Sequence, residues 1–286
     1  MRETAHLFGS HGGLAGVLCQ PSQPVAPDVP AALFWNVGLN HRVGPNRSWV
    51  EFARALAELG FASLRFDLSG LGDSEPRRDG PTDSERAAID LTEALDFLDQ
   101  RGVAKRFVLV ANCSGTDSLH TVACRDPRVA GVVYIDGYAY RNSGYRWRRA
   151  LFKWLQPGRW RRFLLHRHVY RIGQQAAAAE QQQLWKRDIP PRERFAADVD
   201  ALVARGVEML FVYTGGVDLY YNHQRQFHDM FGHRERIAVE FYPRFDHLLS
   251  RVADRRAVSD RLCQWMSRAF PRPAREMASG RAERSA

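Results

Sequence analysis

The sequence predicts an α/β fold in which a mostly parallel central sheet is flanked by helices and interrupted by a helical cap insertion. Strand-like apolar runs alternate with segments of helical periodicity, which indicates parallel pairing with right-handed crossovers. The run Phe107 to Ala111 stops at a tight turn of small residues and leads at once into helix-compatible sequence. Candidate catalytic side chains follow several predicted strands, and open α/β sheets build their sites at that edge.

The composition bounds the class of protein. With 286 residues, of which 45% are hydrophobic, the chain can form one sizeable α/β domain with an inserted subdomain. The first ten residues lack the apolar region of a signal peptide. No stretch approaches the roughly 18 uncharged apolar residues that a membrane span requires. We therefore expect a cytoplasmic protein without a membrane span.

Cysteine usage and charge indicate the chemical environment. The cysteines form no CxxC pair or Cys/His cluster in the sequence, so reduced thiols are expected, with no disulfide framework, metal site or cofactor. The net charge of +9 is carried almost entirely by arginine. Guanidinium groups suit phosphates and carboxylates, which indicates an anionic partner. The four cysteines are Cys19, Cys113, Cys124 and Cys263.

The first half of the chain is predicted from periodicity and punctuation. Glycines between residues 6 and 18 indicate a small hairpin. Apolar residues recur at helical spacing from Ser48 to Leu59, where Gly60 provides a stop, and again from Thr82 to Gln100. Strands are predicted at 31–35, 61–66 and 107–111, followed by a helix at 117–124.

The second half resumes the alternation after a long interruption. A strand is predicted at 129–135, but residues 137–171 then contain no acidic residue and interleave arginines with tryptophans. We expect a basic helical cap over 137–199, a core formed by 1–136 and 200–270, and a mobile tail at 271–286. Within the core, strands are predicted at 208–213 and 237–242, with a closing helix at 258–270. The expected binding residues of the cap are Arg146, Arg149, Trp147 and Trp154.

The turn after residue 111 matches the small-x-nucleophile-x-small pattern of a nucleophile elbow. In that register Cys113 is the apex and Ala111 and Gly115 are the small flanking residues. An alternative register makes Ser114 the nucleophile, but it places the larger Asn112 and Thr116 at the small positions. Cys113 is therefore favoured and Ser114 stays an alternative.

Two further residues complete a candidate triad. His247 follows the predicted strand at 237–242, and Asp218 follows the strand at 208–213. An imidazole can take the thiol proton, while a carboxylate fixes its tautomer and stabilises its charged form. Asp136, which follows the strand at 129–135, is the alternative acid. The expected oxyanion donors are the amide of Ser114 and the loop around Gly38 and Leu39.

These motifs resemble the α/β-hydrolase superfamily from Ala31 to Phe270. Within it, the chain is most similar to acyl hydrolases that include exosortase-associated hydrolases and thioesterase-like proteins of biosynthetic clusters. It departs from the usual pattern in Cys113 for serine, Ala111 for the first glycine, and Asn36 where histidine is common. These departures argue against an ordinary esterase or lipase. The matching motifs are Asn36-Val37-Gly38-Leu39, Asp67-x-x-Gly70-x-Gly72-x-Ser74, Ala111-x-Cys113-x-Gly115 and Asp246-His247.

The resemblance and the triad order predict an acyl hydrolase or acyltransferase that acts on a thioester or activated ester. The small-molecule acyl substrate is expected free or bound to a carrier protein. A lyase of the same fold, which eliminates a carboxylate such as acetate, is one alternative, and a serine esterase using Ser114 is another. Binding of nucleic acid by the cap is not expected, because the intact triad order favours an enzyme. Oligomeric state is not indicated.

Overall fold

The computed structural model describes residues 1–10, 12–77, 82–154 and 189–271. In these ranges eight strands form one sheet. The strands are β1 (Arg2–Phe8), β2 (Leu14–Gln20), β3 (Ala31–Phe34), β4 (Ser63–Phe66), β5 (Phe107–Asn112), β6 (Val129–Ile135), β7 (Glu208–Thr214) and β8 (Ile237–Tyr242). Their order across the sheet is β1-β2-β4-β3-β5-β6-β7-β8.

Seven α-helices are described, and short 3-10 turns lie at Pro45–Arg47 and Gly215–Val217. The helices are α1 (Ser48–Glu58), α2 (Asp83–Gln100), α3 (Gly115–Arg125), α4 (Ser143–Trp154), α5 (Arg192–Ala204), α6 (Gln226–Phe231) and α7 (Val252–Ala269). Within the described ranges, none of these helices has the length and apolar character needed to cross a bilayer.

The sheet is parallel from β4 through β8, and only the β1–β2 hairpin and the β2–β4 pair are antiparallel. The parallel strands therefore end at one edge, where the turns after β3, β5, β6, β7 and β8 meet. This arrangement confirms the predicted fold class of a mostly parallel sheet flanked by helices.

Both faces of the central strands are buried. Along β5, Phe107, Leu109 and Ala111 pack into one apolar cluster, whereas Val108 and Val110 pack into the cluster on the opposite face. A strand that is covered by helices on both faces has a continuous apolar sequence, so β5 can be predicted from the sequence alone. The strand that precedes the elbow is thus buried along its whole length.

Some boundaries differ from the sequence-based expectation. Strands β6 and β8 have the predicted bounds, but α7 begins at Val252, six residues before the predicted start. Its first turns carry Asp254 and Arg255, whose charges obscure the apolar periodicity. Both are buried, and Arg255 donates to the carbonyl oxygen of Leu249 at 3.0 Å. Most of the expected cap, 155–188, and of the tail, 272–286, lies outside the described residues, and the division into core and cap stays a prediction.

Candidate active site

The turn between β5 and α3 has the backbone of a nucleophile elbow, with Cys113 at its apex. The φ of Cys113 is +52°, a left-handed conformation that is costly for a residue with a Cβ. The neighbouring backbone holds it there, because the Cys113 amide donates to the Ile135 carbonyl at 3.0 Å and the Thr116 amide donates to the Cys113 carbonyl at 3.1 Å. The strained residue is therefore the cysteine.

Glycine at position 115 lets the elbow approach the end of β3. A Cβ at Gly115 would lie 3.2 Å from the carbonyl oxygen of Asn36 and 3.3 Å from Nε1 of Trp35. These distances are tighter than ordinary van der Waals contacts with backbone and ring atoms. The packing of the elbow against β3 therefore favours glycine at position 115, two residues after the apex, as the motif predicts.

Ser114 adopts a different conformation from its neighbour. Its φ of −63° is helical, and it is the residue that immediately precedes α3. Its Oγ accepts a hydrogen bond from the Gly38 amide at 3.2 Å. Ser114 therefore does not occupy the apex, and its hydroxyl links the elbow to the loop that follows β3.

His247 lies between the elbow and a carboxylate. Its Nδ1 is 2.8 Å from Oδ2 of Asp136, and its ring is also hydrogen-bonded to the Cys113 side chain. The Nδ2 of Asn112 donates to the His247 carbonyl oxygen at 3.2 Å and so ties the histidine loop to the end of β5. Cys113, His247 and Asp136 thus form a continuous chain of side-chain contacts.

The electrostatics of this chain favour a charged imidazole. Burial lowers the pKa of His247, but the hydrogen bonds and charges of Asp136 and Cys113 outweigh burial and raise the pKa to about 10. A ring that holds its proton this firmly beside a thiol is the partner expected in a thiolate–imidazolium pair.

Asp136 is built into the end of β6. It is 1% exposed and has a φ of +48°. Its Oδ1 accepts from the Thr214 amide at 2.7 Å, and its Oδ2 accepts from the Thr214 hydroxyl at 2.6 Å in addition to facing His247. Because three donors converge on this carboxylate, it is held in one orientation toward the imidazole.

The preference for Asp218 as the partner of His247 is corrected by this geometry. Asp218 is exposed, and no hydrogen bond joins its carboxylate to His247 among the residues described. The turn that precedes it packs directly on the histidine, since a Cβ at Gly216 would lie 2.5 Å from Cβ of His247. Backbone therefore occupies the space beside the imidazole, and the carboxylate that reaches Nδ1 comes from the neighbouring strand, β6.

The expected oxyanion donors differ in their availability. The Gly38 amide is engaged by Ser114 Oγ, so Gly38 does not offer a free donor, contrary to the expectation. Within the described part of the chain, the amides of Leu39 and Ser114 have no acceptor. Leu39 is 76% exposed, and the positive φ of Gly38, +56°, turns the chain just before it. The backbone amides of Leu39 and Ser114 are therefore the two remaining candidate donors to an oxyanion.

A polar network that the sequence did not reveal fixes the oxyanion loop. The Asn36 side chain donates to the Asn40 carbonyl at 2.8 Å and to Oδ1 of Asp67 at 2.9 Å, and its Oδ1 accepts from the Leu68 amide at 2.6 Å. Asp67 is fully buried and also pairs with the guanidinium of Arg42. The motif at 67–74 showed that a tight loop lies here, but its bonds to Asn36 depend on the adjacency of β3 and β4.

Helix α4 packs on the loop that follows β7. The Tyr145 hydroxyl donates to the Leu219 carbonyl at 2.6 Å, and Arg149 donates to the Tyr145 hydroxyl at 2.8 Å. Arg146 is exposed and Trp147 is 75% exposed. The expected binding residues Arg146, Trp147 and Arg149 therefore lie on one helix that contacts the loop next to His247, whereas the side chain of Trp154 lies outside the described part of the structure.

With this geometry in place, comparison with known proteins identifies the family. The alpha/beta hydrolase family model matches residues 11–283, so the chain belongs to this family and is an enzyme of the hydrolase type. No curated protein sequence matches the chain.

Several solved structures share the fold at low sequence identity. The alpha/beta hydrolase GrgF from Penicillium sp. sh18 is 17% identical, with a TM-score of 0.57 over 94% of this chain and 99% of that one. An alpha-beta serine hydrolase homologue from Coxiella burnetii is 14% identical, with a TM-score of 0.56 over 92% and 97%. Est1E from Butyrivibrio proteoclasticus is 11% identical, with a TM-score of 0.58 over 94% and 99%. At these identities the likeness establishes the fold alone.

Proposed function

We propose that this hydrolase is a thioesterase-like acyl hydrolase or acyltransferase that uses Cys113 as nucleophile, His247 as base and acid, and Asp136 to orient the imidazole. The observation that carries the proposal is the contact chain in which a left-handed cysteine is hydrogen-bonded to a histidine whose Nδ1 is held by a buried carboxylate. A nucleophile, a base and an orienting group within hydrogen-bond reach are the signature of covalent acyl transfer.

The contacts support a two-step reaction. The Cys113 thiolate attacks the acyl carbonyl, and the amides of Ser114 and Leu39 stabilise the resulting oxyanion. Collapse of the tetrahedral intermediate forms an acyl-cysteine, while His247 gives its proton to the leaving thiol or alcohol. His247 then takes a proton from water or from an acceptor hydroxyl or amine, which attacks the acyl-cysteine. The second tetrahedral intermediate then expels the Cys113 thiolate, which releases the product and restores the thiolate beside the protonated His247.

A cysteine nucleophile favours activated acyl groups. The attack on a thioester exchanges one thiolate for another of similar stability, whereas an alkoxide is a much poorer leaving group than the Cys113 thiolate. Expulsion of an unactivated alkoxide would therefore compete with reversal of the attack. This chemistry supports a thioester or an activated ester over a simple alkyl ester.

The surroundings of the site support an anionic acyl donor. Arg146 and Arg149 lie on α4, and no carboxylate of the described residues pairs with either of them. A phosphate-bearing thioester, such as an acyl group on a phosphopantetheine arm, fits guanidinium groups at the mouth of a thiol site. The substrate class we propose is thus an acyl thioester with a phosphorylated leaving group.

Intact-mass spectrometry tests the proposed nucleophile. When the enzyme is mixed with an acyl-pantetheine or acyl-coenzyme A thioester, one acyl group is expected on Cys113 in the wild type and none in Cys113→Ala. Cys263→Ala is the matched control, because Cys263 is a half-buried thiol on α7 outside the contact chain. The Cys263→Ala protein should still be acylated on Cys113.

The same experiment separates the alternatives. Full turnover in Cys113→Ala combined with loss of the adduct in Ser114→Ala would assign a serine esterase and reject the proposal. A reaction that depends on His247, leaves no adduct and yields an alkene with an intact carboxylic acid would instead assign a lyase. Formation of the free acyl acid, or of an acylated acceptor, through a Cys113 adduct supports hydrolysis or transfer.

A further inference from the structure

A second cluster of reactive side chains lies on the far half of α3, away from the elbow. His120 and Cys124 are one helical turn apart on this helix, and Asp198 faces them from α5. His120 is buried, and its Nε2 lies 3.2 Å from Oδ2 of Asp198 and 3.9 Å from Sγ of Cys124. The three donor atoms all lie within 4.8 Å of one another.

The cluster differs in connectivity from the contact chain at the active site. A catalytic relay uses both ring nitrogens, one toward the nucleophile and one toward the acid. Here the thiol and the carboxylate both face Nε2, while Nδ1 lies 2.9 Å from the Tyr134 hydroxyl. Because the thiol and the carboxylate face the same nitrogen, the imidazole cannot relay a proton from one to the other through its two nitrogens. The three atoms instead surround a position that a cation can occupy.

The neighbours of the cluster orient its donors. Tyr134 is fully buried and its ring stacks on Phe211 at 4.7 Å, so its hydroxyl fixes the plane of the His120 ring. Arg194 donates to both carboxylate oxygens of Asp198 at 3.0 Å, and Oδ2 also faces His120. The Arg194 side chain is 73% exposed, so it can keep its bond to Oδ1 when Oδ2 binds a cation. Partners of this kind, on the second nitrogen of a histidine and the second oxygen of a carboxylate, are the usual outer contacts of metal ligands.

We infer that His120 Nε2, Cys124 Sγ and Asp198 Oδ2 form a zinc-binding site, with water as the fourth ligand. Tetrahedral zinc with its usual bond lengths sets the nitrogen–oxygen separation at about 3.3 Å and the nitrogen–sulfur separation at about 3.6 Å. The first matches the 3.2 Å in the structure, and the second is about 0.3 Å shorter than the observed 3.9 Å, so Sγ must move toward the other two donors. Cys124 is exposed, so its side chain has room for this adjustment.

The inferred site joins two parts of the fold. Zinc would displace the thiol proton of Cys124 into solvent and bond to the resulting thiolate. It would then tie α3, the helix that begins at the elbow, to α5, which follows the long segment after β6. The site is independent of the proposed acyl chemistry, since none of its ligands belongs to the contact chain of Cys113.

Zinc binding by the full chain tests the inference in a Cys113→Ser background, which removes the active-site thiol as a competing ligand. After treatment with a chelator, the protein is titrated with Zn²⁺ against a chromophoric chelator. One zinc per chain is expected, with at least a tenfold weaker affinity in Cys124→Ala and in Asp198→Asn. Co²⁺ in place of Zn²⁺ should give a thiolate charge-transfer band that Cys124→Ala removes.

Two matched variants complete the experiment. Cys263→Ala removes another thiol, and Asp200→Asn neutralises a carboxylate two residues from Asp198 that pairs with Arg234. Both should retain the zinc affinity and the cobalt band. Thermal unfolding of each metal-free variant verifies that it is folded. Zinc affinity unchanged by both Cys124→Ala and Asp198→Asn, or no stoichiometric binding in the Cys113→Ser parent, would overturn the inference.

Discussion

Three residues in or near the candidate active site share an unusual backbone conformation. Cys113, Asp136 and Leu249 have φ values of +52°, +48° and +51°, and they lie at the elbow, at the acid and two residues after His247. Such conformations cost on the order of 1–3 kcal/mol each, so they persist only where surrounding bonds enforce them. Three of the five described non-glycine residues with a positive φ thus follow β5, β6 and β8, and the side chains of two of them, Cys113 and Asp136, contact the imidazole of His247.

The identity of the orienting acid can be tested by neutralising each carboxylate. In Asp136→Asn, the Thr214 amide still requires the side-chain oxygen, so the new NH₂ group faces Nδ1 of His247 and forces the wrong tautomer. We expect kcat for thioester hydrolysis to fall at least about 100-fold. Asp218→Asn should change kcat less than about threefold. The reverse ranking, in two variants with melting temperatures near that of the wild type, would restore Asp218 as the acid.

The raised pKa of His247 also predicts how stability depends on pH. The native pKa of about 10 lies above the unfolded value of about 6.5, so the charged ring stabilises the native state fully below pH 6.5 and loses that contribution as the pH rises toward 10. Relative to His247→Gln, whose side chain is neutral throughout, the wild type should lose on the order of 2 kcal/mol of unfolding free energy across this window. Urea unfolding at pH 6.5 and 9.5 measures the difference, and a constant gap between the two proteins would contradict the prediction.

The carboxylate that contacts His247 could not be predicted from the sequence. Asp136 and Asp218 both follow apolar strands, and nothing in their local sequence distinguishes them. What distinguishes them is Thr214, whose amide and hydroxyl hold Asp136, together with the close packing of Gly216 on His247. These are contacts between neighbouring strands, so they exist only after the sheet has formed. The elbow, in contrast, is encoded within five consecutive residues.

At the scale of elements, the oxyanion loop depends on the buried side chain of Asn36. The side chain of Asn36 bridges the loop after β3 and the loop after β4 through Asn40, Asp67 and Leu68. Asn36 is 2% exposed, so its amide replaces water for each of these partners. The Leu39 amide, the proposed donor to the oxyanion, lies inside the loop that this bridge closes.

Removal of the bridge should affect catalysis more than binding. In Asn36→Ala the Leu68 amide and an oxygen of Asp67 lose a partner in a buried setting, which costs about 1–3 kcal/mol of stability. The loop also loosens, and we expect kcat to fall about tenfold or more with little change in KM, because an oxyanion donor acts mainly in the transition state. Asn40→Ala, which removes only a bond to the Val37 carbonyl, is the control and should stay near wild type. Equal kinetic effects of the two variants would refute the role of the bridge.

Elements dominated by local pattern were predicted well from the sequence, and those held by long-range pairs were not. The bounds of β6 follow from an unbroken apolar run, and those of β8 follow from a run of strand-forming residues that only Glu240 interrupts. The start of α7 was missed because Arg255 is buried through bonds to the Leu249 carbonyl and to Glu51 of α1. The pairing of His120 with Asp198 was likewise invisible, since the two residues lie 78 positions apart. His120 and Cys124 lie four positions apart, but this spacing alone does not predict a metal site, and none is expected from the sequence.

At the scale of the whole molecule, the arginines of α4 are the part of the positive net charge that lies next to the loop after β7. Tyr145 anchors this helix to the loop after β7, and Arg141 reinforces the contact by donating to the Leu219 carbonyl at 2.8 Å. Helix α4 is therefore tied to the same loop whose Gly216 packs on His247. Under the proposed function, the arginines of this helix favour an anionic leaving group over a neutral ester.

Charge reversal on α4 should accordingly discriminate between substrates. In the double variant Arg146→Glu/Arg149→Glu, we expect KM for a phosphopantetheine thioester to rise about 5- to 10-fold. The reason is that the exposed Arg146 and the half-buried Arg149 would each lose an ion pair of up to about 1 kcal/mol with the phosphate and repel it instead. KM for a neutral short-chain activated ester should stay within about twofold.

The control is Arg268→Glu in the last turn of α7, a helix that follows β8 and runs to the opposite edge of the sheet. Added salt should raise KM for the anionic thioester in the wild type and in this control but have the opposite or no effect in the double variant, because screening weakens attraction and repulsion alike. If both substrates respond equally to the α4 reversal, the basic helix does not select the acyl donor, and the arginine bias of the chain has another cause.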